Sequence, residues 1–406
     1  MLARLSWRNI WRNKVRSLVV IFAIAVGLTG GIFITGMMNG MVAQQTTNTI
    51  NSEISDIQIH NPGFLENSSP KFLIDDVEQK IKNIKSNTLV TEVCYRSKST
   101  AMASTATKGA GATIYGIIPS MEKKVTSIHD KIVRGDYFET KTKSQPIVIG
   151  EKLSHKLNAD LGKKIVITAQ ALNGEMSWSL FRVVGIYKTN DSRFDEMNIF
   201  VQKEDLDKAL GISKNQANEI AIRTTTQNDA AAVAEKLQTT FAKLSVQSWR
   251  EIKPSLIVMM TMMDQFGYWL MIIILFALIF GIINTMLMVI MERKKELGML
   301  MSVGMNKKRV FWMIMLETTM LSLVGAILGL AISISLMQLF GITGINFASW
   351  AEGLEAMGYS SFIYPYVTTD FYIIVTILVI FTAIIASIWP TYKALKMNPA
   401  EAVRAE

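Results

Sequence analysis

Long uncharged apolar runs alternate along the chain with stretches of ordinary polar composition. Four runs are long enough to cross the roughly 30 Å of bilayer hydrocarbon, which takes about 20 helical residues. They are Leu18 to Val42, Gln265 to Met291, a third beginning near Val310, and Phe371 to Tyr392. Only the third carries a charge, Glu317. The pattern predicts transmembrane helices over 17–42, 256–291, 310–342 and 371–392. Basic residues precede the first run as in a signal peptide. The run is too long for one, however, and no small-residue cleavage site follows, so it reads as a retained anchor.

Residues 43–255, between the first and second runs, have a different period. Asp56 to His60 and Lys164 to Thr168 alternate as half-buried strands do, and Leu180 to Ile186 reads as a buried strand. From Asp229 onward, Val233, Leu237, Phe241 and Leu244 form one apolar helical stripe, with Asn228 or Asp229 as N-cap. Shorter helices are expected over 75–84, 151–157 and 203–210. Ser248 and Glu251 have capping-box spacing, and Pro254 suits the first turn of the helix that follows. A helix from Pro254 to Met291 would be roughly 57 Å long, more than a bilayer, so 256–291 reads as a stalk plus the second span. A break near Gly267 is the alternative. The fold class is an α-helical membrane protein with four transmembrane helices and a large α+β extracytoplasmic domain between helices one and two.

Composition agrees: half of the 406 residues are hydrophobic and 18% are charged, which argues against a purely soluble enzyme. The net charge of +9 is concentrated beside the spans. Residues 1–16 hold Arg4, Arg8, Arg12, Lys14 and Arg16 without an acid. The connection 292–309 holds Arg293, Lys294, Lys295, Lys307, Lys308 and Arg309 against Glu292 and Glu296. The tail 393–406 holds Lys393, Lys396 and Arg404 against Glu401 and Glu406, whereas 343–370 has acids and neither Lys nor Arg. The positive-inside rule then places both termini and 292–309 in the cytoplasm, and 43–255 and 343–370 outside. Charge so placed meets anionic lipid or a cytoplasmic partner, which removes the nucleic-acid reading of the basic balance.

Candidate chemistry is sparse. A lone Cys94 excludes an intramolecular disulfide, and His60, His129 and His155 have no metal-ligand spacing. Gly162-Lys163-Lys164 is no phosphate loop, because Leu157 and Lys164 stand where a glycine and a hydroxyl residue are needed. Neither a nucleophile–base arrangement nor a metal-ligating helix is found, so no catalytic residue, metal or cofactor is expected on this chain. Gly27 and Gly31, Gly36 and Gly40, and Gly325 and Gly329 have the spacing that lets helix backbones approach, within one subunit or between two. Leu2, Leu5, Trp7, Ile10, Trp11 and Val15 among the basic residues of 1–16 predict an interfacial helix, either a slide passing motion to span one or a static anchor. Glu317 is costly in hydrocarbon unless paired, and Lys307, Lys308 and Arg309 are its expected partners, a structural pair being favoured over a proton relay. In 292–309, a short helix rich in both charge signs and bounded by Gly298 and Gly304 fits a groove on a cytoplasmic partner; a solvated connector is the alternative.

One span, a large outer domain and three further spans resemble the permease subunits of the FtsX/MacB/lipoprotein-release (LolC/LolE-like) class of ABC transporters. The resemblance rests on an ordered set beginning with Leu5-Ser6-Trp7-Arg8-Asn9. In the outer domain it includes Arg134-Gly135-Asp136-Tyr137-Phe138, Val148 to Leu153, and Phe181 to Ile186. It continues with Asn284, Met286, Glu292, Arg293, Glu296, Gly298, Gly304, Glu317, Gly325, Gly329 and Pro390, and closes with Asn398 to Arg404. Met301 departs from it: such proteins often carry Arg or Lys there, so no ionic contact is assigned. The resemblance implies a MacB-like periplasmic domain, a bacterial inner-membrane location, a second permease chain, and a separate cytoplasmic ATPase dimer that binds the ATP and magnesium. Residues 292–304 would be the coupling helix, with Glu292, Arg293, Glu296, Gly298 and Gly304 on the ATPase. The implied function is to couple ATP hydrolysis to movement of the outer domain, foremost for release of lipoproteins, with a periplasmic carrier. A MacB-like mechanotransmission efflux permease with a fusion protein, or an FtsX-like regulator of a cell-wall hydrolase, are the alternatives. Met37, Met41, Met259, Met263 and Phe266 are candidate contacts for lipid or acylated cargo, because thioethers adapt to acyl chains; core or lipid-facing packing is the alternative.

Overall fold

The structure, a computed structural model, describes residues 2–12, 14–140 and 144–396, with side chains from Ser6 onward. The tail motif Asn398 to Arg404 and the side chains of Leu2 and Leu5 lie outside the described residues. Two compact units form: a helical bundle of the residues up to Val42, Met260–Asn346 and those from Phe362 on, and a domain of Ala43–Met259 with Phe347–Ser361.

Among the described residues, four helices are long and apolar enough to cross a membrane: Lys14–Ile54, Pro254–Glu292, Lys307–Thr343 and Thr369–Leu395. The first does not stop at the expected boundary of Val42. Ala43 to Thr49 contains no breaker, so the backbone keeps satisfying its own hydrogen bonds and ends in one π-helical turn, Ile50–Ile54. The second is unbroken at Gly267, whose missing side chain leaves room for Thr35 and Phe371.

Ile21, Ile24, Leu28 and Ile32 of the first helix form the bundle core with Met271, Leu275, Leu321 and Val375. In hydrocarbon, helices gain little from burying apolar surface, so close van der Waals fit decides their packing. Gly27 and Gly31 receive Ile274, Leu278 and Met271 of the second helix. A methyl group at Gly329 would stand 3.0 Å from the Ala25 backbone, and Thr29 donates to the Gly329 carbonyl at 3.2 Å. These glycines therefore join helices of one chain. Gly36 and Gly40 do something else: they seat the extended segment before the fourth helix, where the Tyr366 amide donates to the Gly36 carbonyl at 2.8 Å and the Tyr364 carbonyl occupies the space a Gly40 side chain would need. The amphipathic helix Leu2–Arg12 buries Ser6 and Ile10, with the Ser6 hydroxyl donating to the Met313 carbonyl at 3.1 Å, and leaves Trp7 and Trp11 exposed.

The domain is built on ten strands: β1 (Ile57–His60), β2 (Val90–Ser104), β3 (Gly109–Ile117), β4 (Ile132–Gly135), β5 (Gln145–Gly150), β6 (Lys164–Gln170), β7 (Met176–Tyr187), β8 (Asn198–Gln202), β9 (Glu219–Thr224) and β10 (Ser245–Ser248). Their order is β10-β1-β9-β2-β3-β8-β5-β7-β4, with β6 joining β2 to β7. The first half of β2 pairs with β9 and its second half with β3 and β6, so one strand serves two cores. Helices Val77–Lys85 and Ala230–Thr240 cover one core, and Glu151–Leu157 and Lys203–Leu210 cover the other. The helix expected from Asp229 ends early. Phe241 and Leu244 lie beyond it, half-buried, because the chain must turn there to enter β10, and Asp229 accepts from the Thr226 hydroxyl instead of capping helix amides. The Ser248–Glu251 capping box is present ahead of Pro254.

At the root of the two long helices lies a buried ionic network. Arg96 is 1% exposed and bonds Glu122 at 2.7 Å and 2.9 Å, Glu219 at 2.6 Å, and the carbonyl of Glu53 at 3.4 Å. Glu219 also meets His60 at 3.2 Å and Lys98 at 3.7 Å. The Glu53 side chain, in the π turn, pairs at 2.5 Å with Lys253, which immediately precedes the second helix. Burial pushes the Glu219 carboxyl up, but Lys98 and Arg96 outweigh it and hold the group well below the usual carboxylate range. Replacing Arg96 by Met leaves the buried Glu122 carboxylate without its cation and Glu219 with only His60 and Lys98. The expected cost is about 3–5 kcal/mol, read as the opening free energy of β2 and β9 by hydrogen exchange. A depressed carboxylate contributes stability that is present above its unfolded pKa and lost as pH falls, so the gap between wild type and variant should be full above about pH 5 and narrow below it.

Candidate functional site

The chain between the second and third long helices forms a helix of its own, Lys294–Ser302. Arg293 leaves helical geometry at φ −94° and ψ 14°, which separates this helix from the one before it. Gly304, at φ +96°, makes the return turn in a conformation that a side chain would strain. Asn306 then caps the third helix by accepting from the Lys308 amide at 3.1 Å.

The short helix has two faces. Leu297 and Gly298 are buried, and Leu300 and Met301 pack on the bundle core. Lys295, Met299 and Val303 point away, Met299 being 60% and Val303 84% exposed. The i, i+4, i+8 spacing of those three residues was the signal for this outward face. Gly298, one of the expected coupling-loop residues, lies on the bundle side.

Among the described residues, four ion pairs lie on and beside its inner side. Arg16 grips Glu292 through both guanidinium nitrogens. Arg12 of the amphipathic helix bonds Glu296 at 2.5 Å. Arg293 meets Glu317 at 2.9 Å and Glu296 at 3.2 Å. Glu317 is thus satisfied by Arg293 and not by Lys307, Lys308 or Arg309; those begin the third helix and are exposed, whereas Arg293 enters from the break between the second helix and the short one. Burial pushes the Glu296 carboxyl up, but hydrogen bonds from Arg12 and Arg293 prevail and hold it below its usual range. The Arg12–Glu296 pair has side chains 57% and 43% exposed and contributes little by itself, while in Arg293–Glu317, at 15% and 10%, the arginine cannot be removed alone without stranding the buried Glu317.

The five proposed lipid or cargo contacts do not share one unit. Met259 packs on the domain core beside Leu256 and Ile257, and the Tyr359 hydroxyl lies 3.8 Å from its sulfur, because the first turns of the second helix are anchored in the domain. Met37, Met41 and Met263 are half-buried in the bundle, and Phe266 is exposed. Among the described residues no cluster of His, Cys, Asp and Glu could hold a metal ion.

Replacing Arg293 by Met should destabilise the bundle by about 3–5 kcal/mol, and adding Glu317→Leu should recover most of the loss. Thermal unfolding of both variants in detergent checks this; equal losses in the single and double variants would show that the pair does not hold the helices together.

Residues 17–240 match the MacB-like periplasmic core domain and residues 268–399 the FtsX-like permease C-terminal region. The lipoprotein-releasing system transmembrane protein LolC of Neisseria meningitidis is 20% identical over 96% of this chain and 94% of its own length. An uncharacterized ABC transporter permease of Methanocaldococcus jannaschii is 24% identical over 99% of this chain and 97% of its own. The solved periplasmic region of MacB from Actinobacillus actinomycetemcomitans aligns with 52% of this chain and 97% of its own length, at 14% identity and a TM-score of 0.34. The chain belongs to the FtsX/MacB/LolC family of ABC transporter permeases, subunits that work with ABC ATPases and carry, as here, an extracytoplasmic domain of the MacB-like periplasmic core type.

Proposed function

We propose that this chain is a permease subunit of a lipoprotein-releasing ABC transporter in the inner membrane, paired with a second permease chain and driven by a separate cytoplasmic ATPase dimer that holds ATP and magnesium. The observation that carries this reading is the two-faced helix Lys294–Ser302, outward and free at Lys295, Met299 and Val303, clasped to the bundle on its other side. The basic residues around it favour a cytoplasmic position for this helix and for both termini.

ATP-driven closure of the ATPase pair would push on the outward face. The inner face would pass the displacement on through Arg293–Glu317 to the third helix and through Arg16–Glu292 to the first. The second helix, 39 residues or about 58 Å long without a break, would carry it to the extracytoplasmic domain. Likeness to lipoprotein-releasing proteins over nearly the full length supports acylated cargo and a periplasmic carrier. The match of 17–240 to the MacB-like core favours a second reading, mechanotransmission to a fusion protein and an efflux duct.

Purification of the nanodisc-embedded chain from its native host, with mass spectrometry of what copurifies, separates the readings. An ATPase with acylated lipoproteins supports release; an ATPase with a fusion protein and no lipoprotein supports efflux. Met299→Asp with Val303→Asp should lower ATPase recovery about tenfold or more, as loss of apolar anchors does at interfaces. Glu296→Gln, on the inner side, should leave recovery near wild type and lower stimulated ATP hydrolysis. Unchanged recovery and hydrolysis in both would remove the coupling assignment.

A further inference from the structure

Beneath the clasp lies a cavity of about 210 Å³ that the coupling reading does not use. Arg12, Arg16 and Arg293 reach its wall from three different elements, against only two carboxylates, Glu292 and Glu317. The wall therefore carries a surplus of positive charge. The counter-charge of Arg12, Glu296, is not among the residues of the wall, and that pair is exposed, so it contributes little to holding Arg12. The rest of the wall is mixed: Ile10, Val20, Met286, Val289 and Leu321 make it apolar on one side, and Asn9, Ser17 and Thr285 add uncharged polar groups.

The depth of the cavity selects its ligand. Arg16 precedes the first apolar run and Glu292 ends the second, so the charged side lies at headgroup level and the apolar side at the edge of the hydrocarbon. A guanidinium matches the oxygens of a phosphate in bidentate geometry, and basic pockets between membrane helices are where lipid headgroups bind. A free anion would find the arginines but would have no use for the apolar wall.

We propose that this cavity binds the phosphate headgroup of an anionic phospholipid from the leaflet on the basic side of the bundle. The phosphate takes up the positive surplus at Arg12, beside the Arg16–Glu292 pair, and the glycerol and first methylenes lie along Val20, Met286 and Leu321. Binding needs no ATPase, so it succeeds or fails separately from the coupling mechanism.

The test is native mass spectrometry of the full chain in detergent, titrated with phosphatidylglycerol or phosphatidylcholine of the same acyl chains. Phosphatidylglycerol should be retained about tenfold more tightly, as a charge-assisted hydrogen bond at the surplus arginine would give. Arg16→Gln should abolish that preference, and Arg12→Gln, at an exposed position that does not endanger folding, should reduce it several-fold. Millimolar inorganic phosphate should not displace the lipid. Equal retention of the two lipids, an unchanged preference in Arg12→Gln, or displacement by inorganic phosphate alone would each overturn the proposal, the last by showing an anion site without a lipid.

Discussion

A charge taken out of water must meet its counter-charge inside the protein, and the working parts of this chain are arranged around that constraint. In the domain, Arg96 sits between Glu122 and Glu219 and also holds the carbonyl of Glu53. In the bundle, Arg293 enters between helices to meet Glu317, and Arg16 takes Glu292. Each set joins elements distant in sequence, so each fixes relative position with a directionality that apolar contact lacks. The ionic sets lie near the ends of the long helices.

Between those grips the second helix runs without internal ties of that kind. Its apolar sequence has no proline after Pro254, and its one internal Asp264 is exposed, so nothing bends it. The first helix is held to its neighbours by small residues: Gly27 and Gly31 on one side, and Ala25 against Gly329 on another. At Gly329 the contact is with backbone, where an added methyl group would stand 3.0 Å from Ala25 and force a shift. Close helix packing, ionic pairs and a short two-faced helix beside the basic residues are the parts on which the proposed coupling rests.

The four spans, the inserted α+β domain and the capping box before Pro254 could all be read from the chain, because apolar run length and local period are local properties. The short helix after Glu292 was legible too, from its charge and its glycines, but its faces were not. Glu292, Arg293, Glu296 and Gly298 looked like partner contacts, and in the fold they turn toward the chain itself, leaving Lys295, Met299 and Val303 outside. Likewise Gly36 and Gly40 have helix-packing spacing and instead seat an extended segment, a difference set by what the fourth helix's entry brings against them.

The amino-acid sequence by itself determined how many times the chain can cross a membrane, where its charge lies and where a folded domain is inserted, since each follows from the transfer cost of residues near one another in the chain. Only the tertiary structure decided which charges pair. Glu317 lies eight to ten residues from three cations and binds none of them; it binds Arg293, 24 residues away at the break after the second helix. Arg96 likewise draws its carboxylates from positions 26 and 123 residues distant. Pairing depends on which side chains converge after helices and strands have packed, and that convergence is a property of the whole fold.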